Sequence, residues 1–97
     1  MHVVIDGRFV LDEADLHRRL AGALGYGPYY RHDLDDLCAR LSAGDPRPLQ
    51  LVWIHAGSLR MALGGLVFDR YVAHFEEIEA ADTDRRWTDR FVFRMFE

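Results

Sequence analysis

The sequence predicts an α/β protein in which a three-stranded parallel sheet is covered by four helices, in the chain order β-α-α-β-α-α-β. Three short apolar runs, over residues 2–5, 49–54 and 90–96, have the composition of strands. Between them, apolar residues recur at helical spacing, and helical crossovers of this length join parallel strands. The chain has 97 residues, which is the size of one domain, so we expect a single domain over residues 1–97.

The first strand and the first helix are bounded by residues with clear local preferences. The β-branched run at residues 2–5 stops at Asp6-Gly7, a turn dipeptide. Asp12 is the predicted N-cap of the first helix, and Gly25 is its predicted end. The apolar stripe of this helix comprises Leu16, Leu20, Ala23 and Leu24. His17 lies beside that stripe, and we interpret it as a hydrogen-bonded histidine at the edge of the core.

The second helix is predicted to begin directly after Asp33. This residue has the side chain of an N-cap, and Asp36 stands three positions on as the acidic partner of the cap. The buried stripe of the helix comprises Leu34, Leu37 and Leu41. Cys38 falls at the flank of that stripe, and a segment rich in proline and small residues, 42–48, ends the helix.

The second half of the chain is predicted to form a strand, two helices and a final strand. Residues 49–54 are predicted to form a buried central strand. A short helix is predicted from Ser58 to Leu63, a break at Gly64-Gly65, and a longer helix over residues 68–80. The inner face of that helix comprises Val72, Phe75 and Ile78, with Tyr71 beside them. In the final strand Phe91, Phe93 and Met95 share one face.

Composition and charge exclude several classes of protein. Sixteen acidic against twelve basic residues give a net charge of −4, which disfavours nucleic acid as a direct partner. The sequence contains no apolar run of the roughly 18 residues needed to span a membrane, and its start lacks the pattern of a secretory signal. Cys38 is the sole cysteine in the sequence and cannot form an internal disulfide, which fits a reducing compartment. We expect a cytoplasmic protein without membrane contact.

The sequence contains no recognisable catalytic or cofactor-binding motif. Cys38 lies among leucines, which favours a half-buried side chain over a nucleophile. The side chains of Asp35 and Asp36 diverge by about 100° around a helix, which disfavours a metal site with His32. We therefore expect no catalytic residue, no metal and no cofactor. A small metal- or thiol-dependent enzyme would require His32 and Cys38 to converge.

One segment combines aromatic and acidic residues in a way that suits an interface. Residues 29–37 read YYRHDLDDL, two tyrosines before three aspartates. Tyrosine is a preferred interface anchor, and the start of a helix tolerates clustered negative charge. Their spacing alone leaves two interpretations open: a capped helix with solvated acids, or a binding face.

The chain resembles the barstar family over residues 3–78. The resemblance rests on DLH at residues 15–17, PYY at residues 28–30, DLDDLC at residues 33–38, and Pro48-Leu49 leading into a strand that carries Trp53. Barstar-like proteins are intracellular inhibitors, or immunity proteins, of secreted guanyl-specific ribonucleases of the barnase type. The resemblance implies a one-to-one complex with an extracellular-type ribonuclease and a monomer when free.

The resemblance also implies which residues meet the partner. Carried over by motif, the binding positions are Tyr29, Tyr30, Arg31, Asp33, Asp35, Asp36, Cys38, Ala39 and either Glu76 or Glu77. Four of these positions depart from the family: Ala39 replaces an acidic anchor, Cys38 a tryptophan, Arg31 a glycine and Asp33 an asparagine. These departures leave an alternative, a barstar-like binding or immunity module for a different basic partner that need not be a nuclease.

Overall fold

The computed structural model describes residues 1–97, with Gly44 described by its backbone alone. Across this range the chain forms one parallel sheet of three strands, β1 (His2–Asp6), β2 (Leu49–Ile54) and β3 (Phe91–Met95), in that order. The helices are α1 (Glu13–Leu24), α2 (Leu34–Ala39), α3 (Ala56–Leu63) and α4 (Gly65–Ala81). A π-helical turn, Arg40–Gly44, continues α2, and short 3-10 turns lie at Gly7–Phe9 and Trp87–Asp89. The predicted order of elements and the parallel three-stranded sheet are confirmed.

Several predicted boundaries differ from the structure. The third helix starts at Ala56 and the fourth at Gly65, each two or three residues earlier than predicted. Gly64 adopts φ 86° between them, and its carbonyl accepts the N–H of Phe68 at 2.9 Å, so helical hydrogen bonding resumes at once. In α1, Ala23 is exposed rather than part of the buried stripe.

The sheet has one covered face and one open face. The side chains of the strands that point toward the helices are buried, and the largest of them is Trp53. Phe75 and Phe93 meet the Trp53 ring edge-on, with centroids 5.4 and 5.2 Å away. On the other face Val4 and Gln50 are exposed and Val52 is buried, so β2 is the predicted central strand, with four of its six residues buried. The helices therefore cover one side of the sheet.

The outer edge of β3 is capped by carboxylates. Asp82 accepts the backbone N–H of Phe91 at 2.7 Å, and Glu79 accepts that of Phe93 at 3.3 Å. Asp82 is itself held by Arg47 in a buried ion pair of 3.0 Å. An edge strand with free N–H groups invites pairing with another chain, and these acceptors occupy two of them.

The apolar side chains of both layers form a shared core. Leu16 and Leu20 of α1, Leu37 of α2 and Phe75 of α4 pack with the inner face of the sheet. Among the described residues, no helix is long and apolar enough to cross a membrane.

Candidate partner-binding face

The aromatic-acidic segment forms the loop before α2 and the exposed side of that helix. Asp33 is the N-cap of α2, as predicted: its side chain accepts the backbone N–H of Asp36 at 2.7 Å. Tyr29 lies in the loop and is 89% exposed. Asp35 and Ala39 are exposed on the helix. The loop and the helix that follows it thus expose an aromatic ring and carboxylates to solvent.

Asp36 does not point outward, contrary to our expectation. Its Oδ2 accepts the backbone N–H of Arg31 at 2.9 Å and the Nε–H of Arg40 at 3.3 Å. Its side chain is 16% exposed. The Arg31 N–H, and after it the Arg40 guanidinium, hold the pKa of the Asp36 carboxyl below its usual range. Asp36 therefore joins the loop to the helix and offers little free charge to a partner.

Arg40 connects α2 to two tyrosine rings. Its guanidinium carbon lies 4.9 Å from the ring centroid of Tyr26 and 5.3 Å from that of Tyr30. Both distances are typical of cation–π contacts. The sequence did not indicate a role for Arg40 at this site. Arg40 does lie four positions after Asp36, however, and that is the spacing of an ion pair along a helix.

Tyr30 is 4% exposed, so its side chain supports the face from below. Its hydroxyl lies 2.5 Å from Nδ1 of His17, and Nε2 of His17 lies 2.6 Å from the hydroxyl of Tyr71. Tyr71 donates its own proton to Glu13 at 2.5 Å. It must therefore accept from the Nε2–H of His17, which leaves Nδ1 to accept from Tyr30.

This chain of hydrogen bonds requires a neutral imidazole at His17. The residue is 1% exposed, and burial lowers the pKa of its ring. Burial also raises the pKa of the Tyr30 hydroxyl, which keeps that group a proton donor. The predicted hydrogen-bonded histidine is confirmed, but it is fully buried and does not lie at the edge of the core.

The exposed part of the loop carries a cation. The Arg31 side chain is 69% exposed, and its Nε lies 3.9 Å from Oδ2 of Asp33. His32 adopts φ 57°, in the left-handed region that non-glycine residues rarely occupy. Its ring packs against Tyr30 with centroids 4.9 Å apart. Arg31 is thereby presented beside the carboxylates and not folded away from them.

On α4, Glu77 and Glu76 point in different directions. Burial, and after it the charges of Asp35 and Glu77, raise the pKa of the Cys38 thiol to about 11. Since α2 packs against α4 and the charge of Glu77 acts on Cys38, Glu77 lies on the side of α4 that faces α2. Glu76 lines a groove of about 370 Å³ toward β3, together with Trp87 and Arg90.

Cys38 is half-buried at the flank of α2, as expected. A thiol whose pKa is about 11 stays protonated at neutral pH and is a poor nucleophile. Within the part of the chain that the structure describes, no three His, Cys, Asp or Glu side chains are arranged to hold a metal ion.

We call the exposed set the acidic face, and it comprises Tyr29, Arg31, Asp33, Asp35, Ala39 and Glu77. Four predicted positions lie outside it for separate reasons. Cys38 is half-buried at the flank of α2. Tyr30 is buried, Asp36 is turned back onto the loop, and Glu76 faces β3. The remaining surface joins carboxylates to an exposed aromatic ring, which suits contact with a cationic protein.

No curated protein matches the chain. The family model described as Barstar (barnase inhibitor) matches residues 1–96. The chain therefore belongs to the barstar family, a family of inhibitor domains.

Proposed function

We propose that this protein is an intracellular inhibitor of a secreted guanyl-specific ribonuclease of the barnase type. It binds the nuclease one-to-one through the acidic face and covers the active site. The observation that carries the proposal is the exposure of Tyr29 in the loop and of the carboxylates of Asp33 and Asp35 that follow it, in a chain of the barstar family.

The charges of the two partners support this arrangement. A ribonuclease active site is cationic because it holds a phosphodiester. Carboxylates placed where phosphates would lie can occupy such a site, and the complementary fields accelerate the encounter. The protein carries a net charge of −4, and its acidic face carries exposed carboxylates on the loop, on α2 and on α4.

Individual residues have separate roles in the proposed complex. Asp35 provides the central carboxylate, Glu77 the carboxylate from α4, and Tyr29 the aromatic contact. Arg31 pairs with an acidic group of the nuclease, such as its catalytic glutamate. The inhibitor works by occupying the site, so it catalyses no reaction and needs neither metal nor cofactor.

A titration against a panel of guanyl-specific ribonucleases tests the proposal. We expect stoichiometric one-to-one inhibition of at least one member. Higher salt should slow association and change dissociation much less, because screening acts on the encounter. Asp84→Ala, in the exposed loop after α4, removes one carboxylate outside the acidic face and serves as control. Absence of inhibition across the panel would reject this function.

A second candidate is an immunity or binding module for a different basic partner that is not a nuclease. Ala39 favours it, because this exposed position carries an acidic anchor elsewhere in the family. The same titration separates the two candidates. A basic protein bound tightly through Asp35 and Tyr29, with every ribonuclease in the panel left active, would favour the second candidate.

A further inference from the structure

Asp36 and Arg40 link the binding loop to α2 by contacts that involve both backbone and side chains. The Asp36 carboxylate holds the N–H of Arg31, which lies in the middle of the loop. It also holds Nε–H of Arg40, whose guanidinium lies over the rings of Tyr26 and Tyr30. A single ion pair therefore fixes the loop at its backbone and at the tyrosine beneath it.

The loop conformation needs such support. His32 holds a positive φ of 57°, a strained conformation that persists only where neighbouring contacts impose it. Tyr29 is almost fully exposed, so its ring contributes little to holding the loop. On the inner side, the hydrogen bond of Tyr30 to His17 fixes the loop to α1. Asp36 and Arg40 provide the matching attachment to α2.

We infer that Asp36 and Arg40 are positioning residues that hold residues 29–32 in the shape in which they meet the partner. This inference rests on the proposed function, because it assigns a role within the same face. A loop already held in its bound shape loses less conformational entropy on association, and this raises affinity. Arg40 therefore strengthens binding although it is a cation beside carboxylates.

Removal of Arg40 changes affinity in opposite directions, depending on whether Arg40 acts by positioning the loop or by its charge alone. If Arg40 acted only through its charge, its removal would make the acidic face more negative and tighten binding to a cationic nuclease. If Arg40 positions the loop, its removal weakens binding. Arg70, exposed on α4, offers the matched control, since Arg70→Ala deletes the same charge from a different helix.

The first measurement uses the free protein and does not depend on any nuclease. Backbone amide hydrogen exchange of Arg31 reports whether its N–H remains bonded to Asp36. We expect exchange at least about tenfold faster in Arg40→Ala, and unchanged exchange in Arg70→Ala. Thermal unfolding of each variant confirms that the fold is retained. Unchanged exchange at Arg31 in Arg40→Ala would overturn the inference.

The second measurement is affinity for the ribonuclease that the wild type inhibits. We expect about tenfold weaker binding for Arg40→Ala, and equal or slightly tighter binding for Arg70→Ala. Asp36→Ala and Asp36→Asn remove the same charge, but the amide oxygen of Asn can still accept the Arg31 N–H. Asp36→Asn should therefore recover affinity that Asp36→Ala loses.

Two outcomes contradict the inference: binding as tight in Arg40→Ala as in Arg70→Ala, or equal affinities for the two Asp36 variants. If no ribonuclease is bound by the wild type, the proposed function fails. The exchange measurement still decides whether Asp36 and Arg40 hold the loop, so the two failures are distinguishable.

Discussion

Tyr71 of α4 donates its hydroxyl proton to the Glu13 carboxylate in the first turn of α1, across 2.5 Å. This bond decides which nitrogen of His17 carries the proton, and through His17 it reaches Tyr30 beneath the binding loop. The orientation of Tyr30 in the loop thus depends on a contact between α1 and α4, and neither of these helices contains the loop.

The buried His17 makes the stability of the protein depend on pH. Its pKa is lowered by burial, so the unfolded chain binds a proton more readily than the folded protein. The nearby Glu13 and Asp33 oppose this shift and His32 adds to it, but burial dominates. The free energy of unfolding should therefore fall as the pH drops through the ordinary histidine range near 6.5.

Urea denaturation at pH 7.5 and at pH 5.5 checks this expectation. The His17→Gln variant, which cannot gain a proton at this position, should show a smaller difference between the two pH values. Equal pH dependence in the wild type and the variant would show that the effect comes from other groups.

Tyr71→Phe should destabilise the fold. The substitution keeps the ring but leaves the Nε2–H of buried His17 without an acceptor, which costs about 1–3 kcal/mol. Denaturant unfolding at neutral pH measures the loss. Tyr29→Phe removes the same hydroxyl from an exposed ring and should leave stability within about 0.5 kcal/mol. Similar effects of the two variants would contradict the hydrogen-bond chain.

Asp35→Ala and Tyr29→Ala should each weaken nuclease binding without unfolding the protein. Both side chains are exposed and lie on the acidic face. If they are hot spots, each substitution costs about 2 kcal/mol or more of binding free energy. A barstar interface is itself an established example of such hot spots. Competition titration against the inhibited ribonuclease measures the change. Wild-type inhibition by both variants would reject the acidic face.

Glu77→Gln should weaken nuclease binding more than Glu76→Gln. Glu77 lies beside α2, close enough to affect the Cys38 thiol, while Glu76 faces the groove near β3. Both substitutions remove one charge from adjacent positions of α4, so long-range electrostatics changes by nearly the same amount. Association and dissociation rates of the two variants distinguish a lost contact, which speeds dissociation, from a weaker long-range field, which slows association. A larger loss for Glu76→Gln would assign the contact to the other glutamate.

Arg31→Ala should weaken binding to the nuclease by up to about tenfold, because it removes a cation that pairs with an acidic group of the partner. Removal of a cation that made no such pair would leave the affinity the same or improve it. Binding assays with the wild type and Arg31→Ala measure the difference. Unchanged or improved affinity would therefore contradict the pairing of Arg31 with an acidic group of the nuclease.

Sequence reasoning succeeded where the structure depends on local spacing. Asp12 and Asp33 are N-caps because a short acidic side chain reaches an N–H three residues on, and that geometry is independent of the rest of the fold. The strands were found because β-branched and aromatic residues cluster between turn residues. The resemblance of the loop and second helix to barstar agrees with the family match.

The orientation of individual site residues could not be predicted in the same way. Asp36 turns inward because the Arg31 N–H and the Arg40 side chain both converge on it, and its position in the helix does not reveal this. Tyr30 is buried because His17, thirteen residues earlier, offers it a hydrogen-bond acceptor. Which glutamate lies near α2 depends on how α4 packs, and the sequence left that alternative open.

The open face of the sheet has a practical consequence. The acidic face lies on the loop, α2 and α4, on the side of the strands that the helices cover, whereas Gln50 points to the other side. A probe, surface linkage or carrier protein attached at Gln50 would leave the acidic face unobstructed. The molecule can therefore be immobilised in a defined orientation, with its helices toward solution, to capture a partner from a mixture.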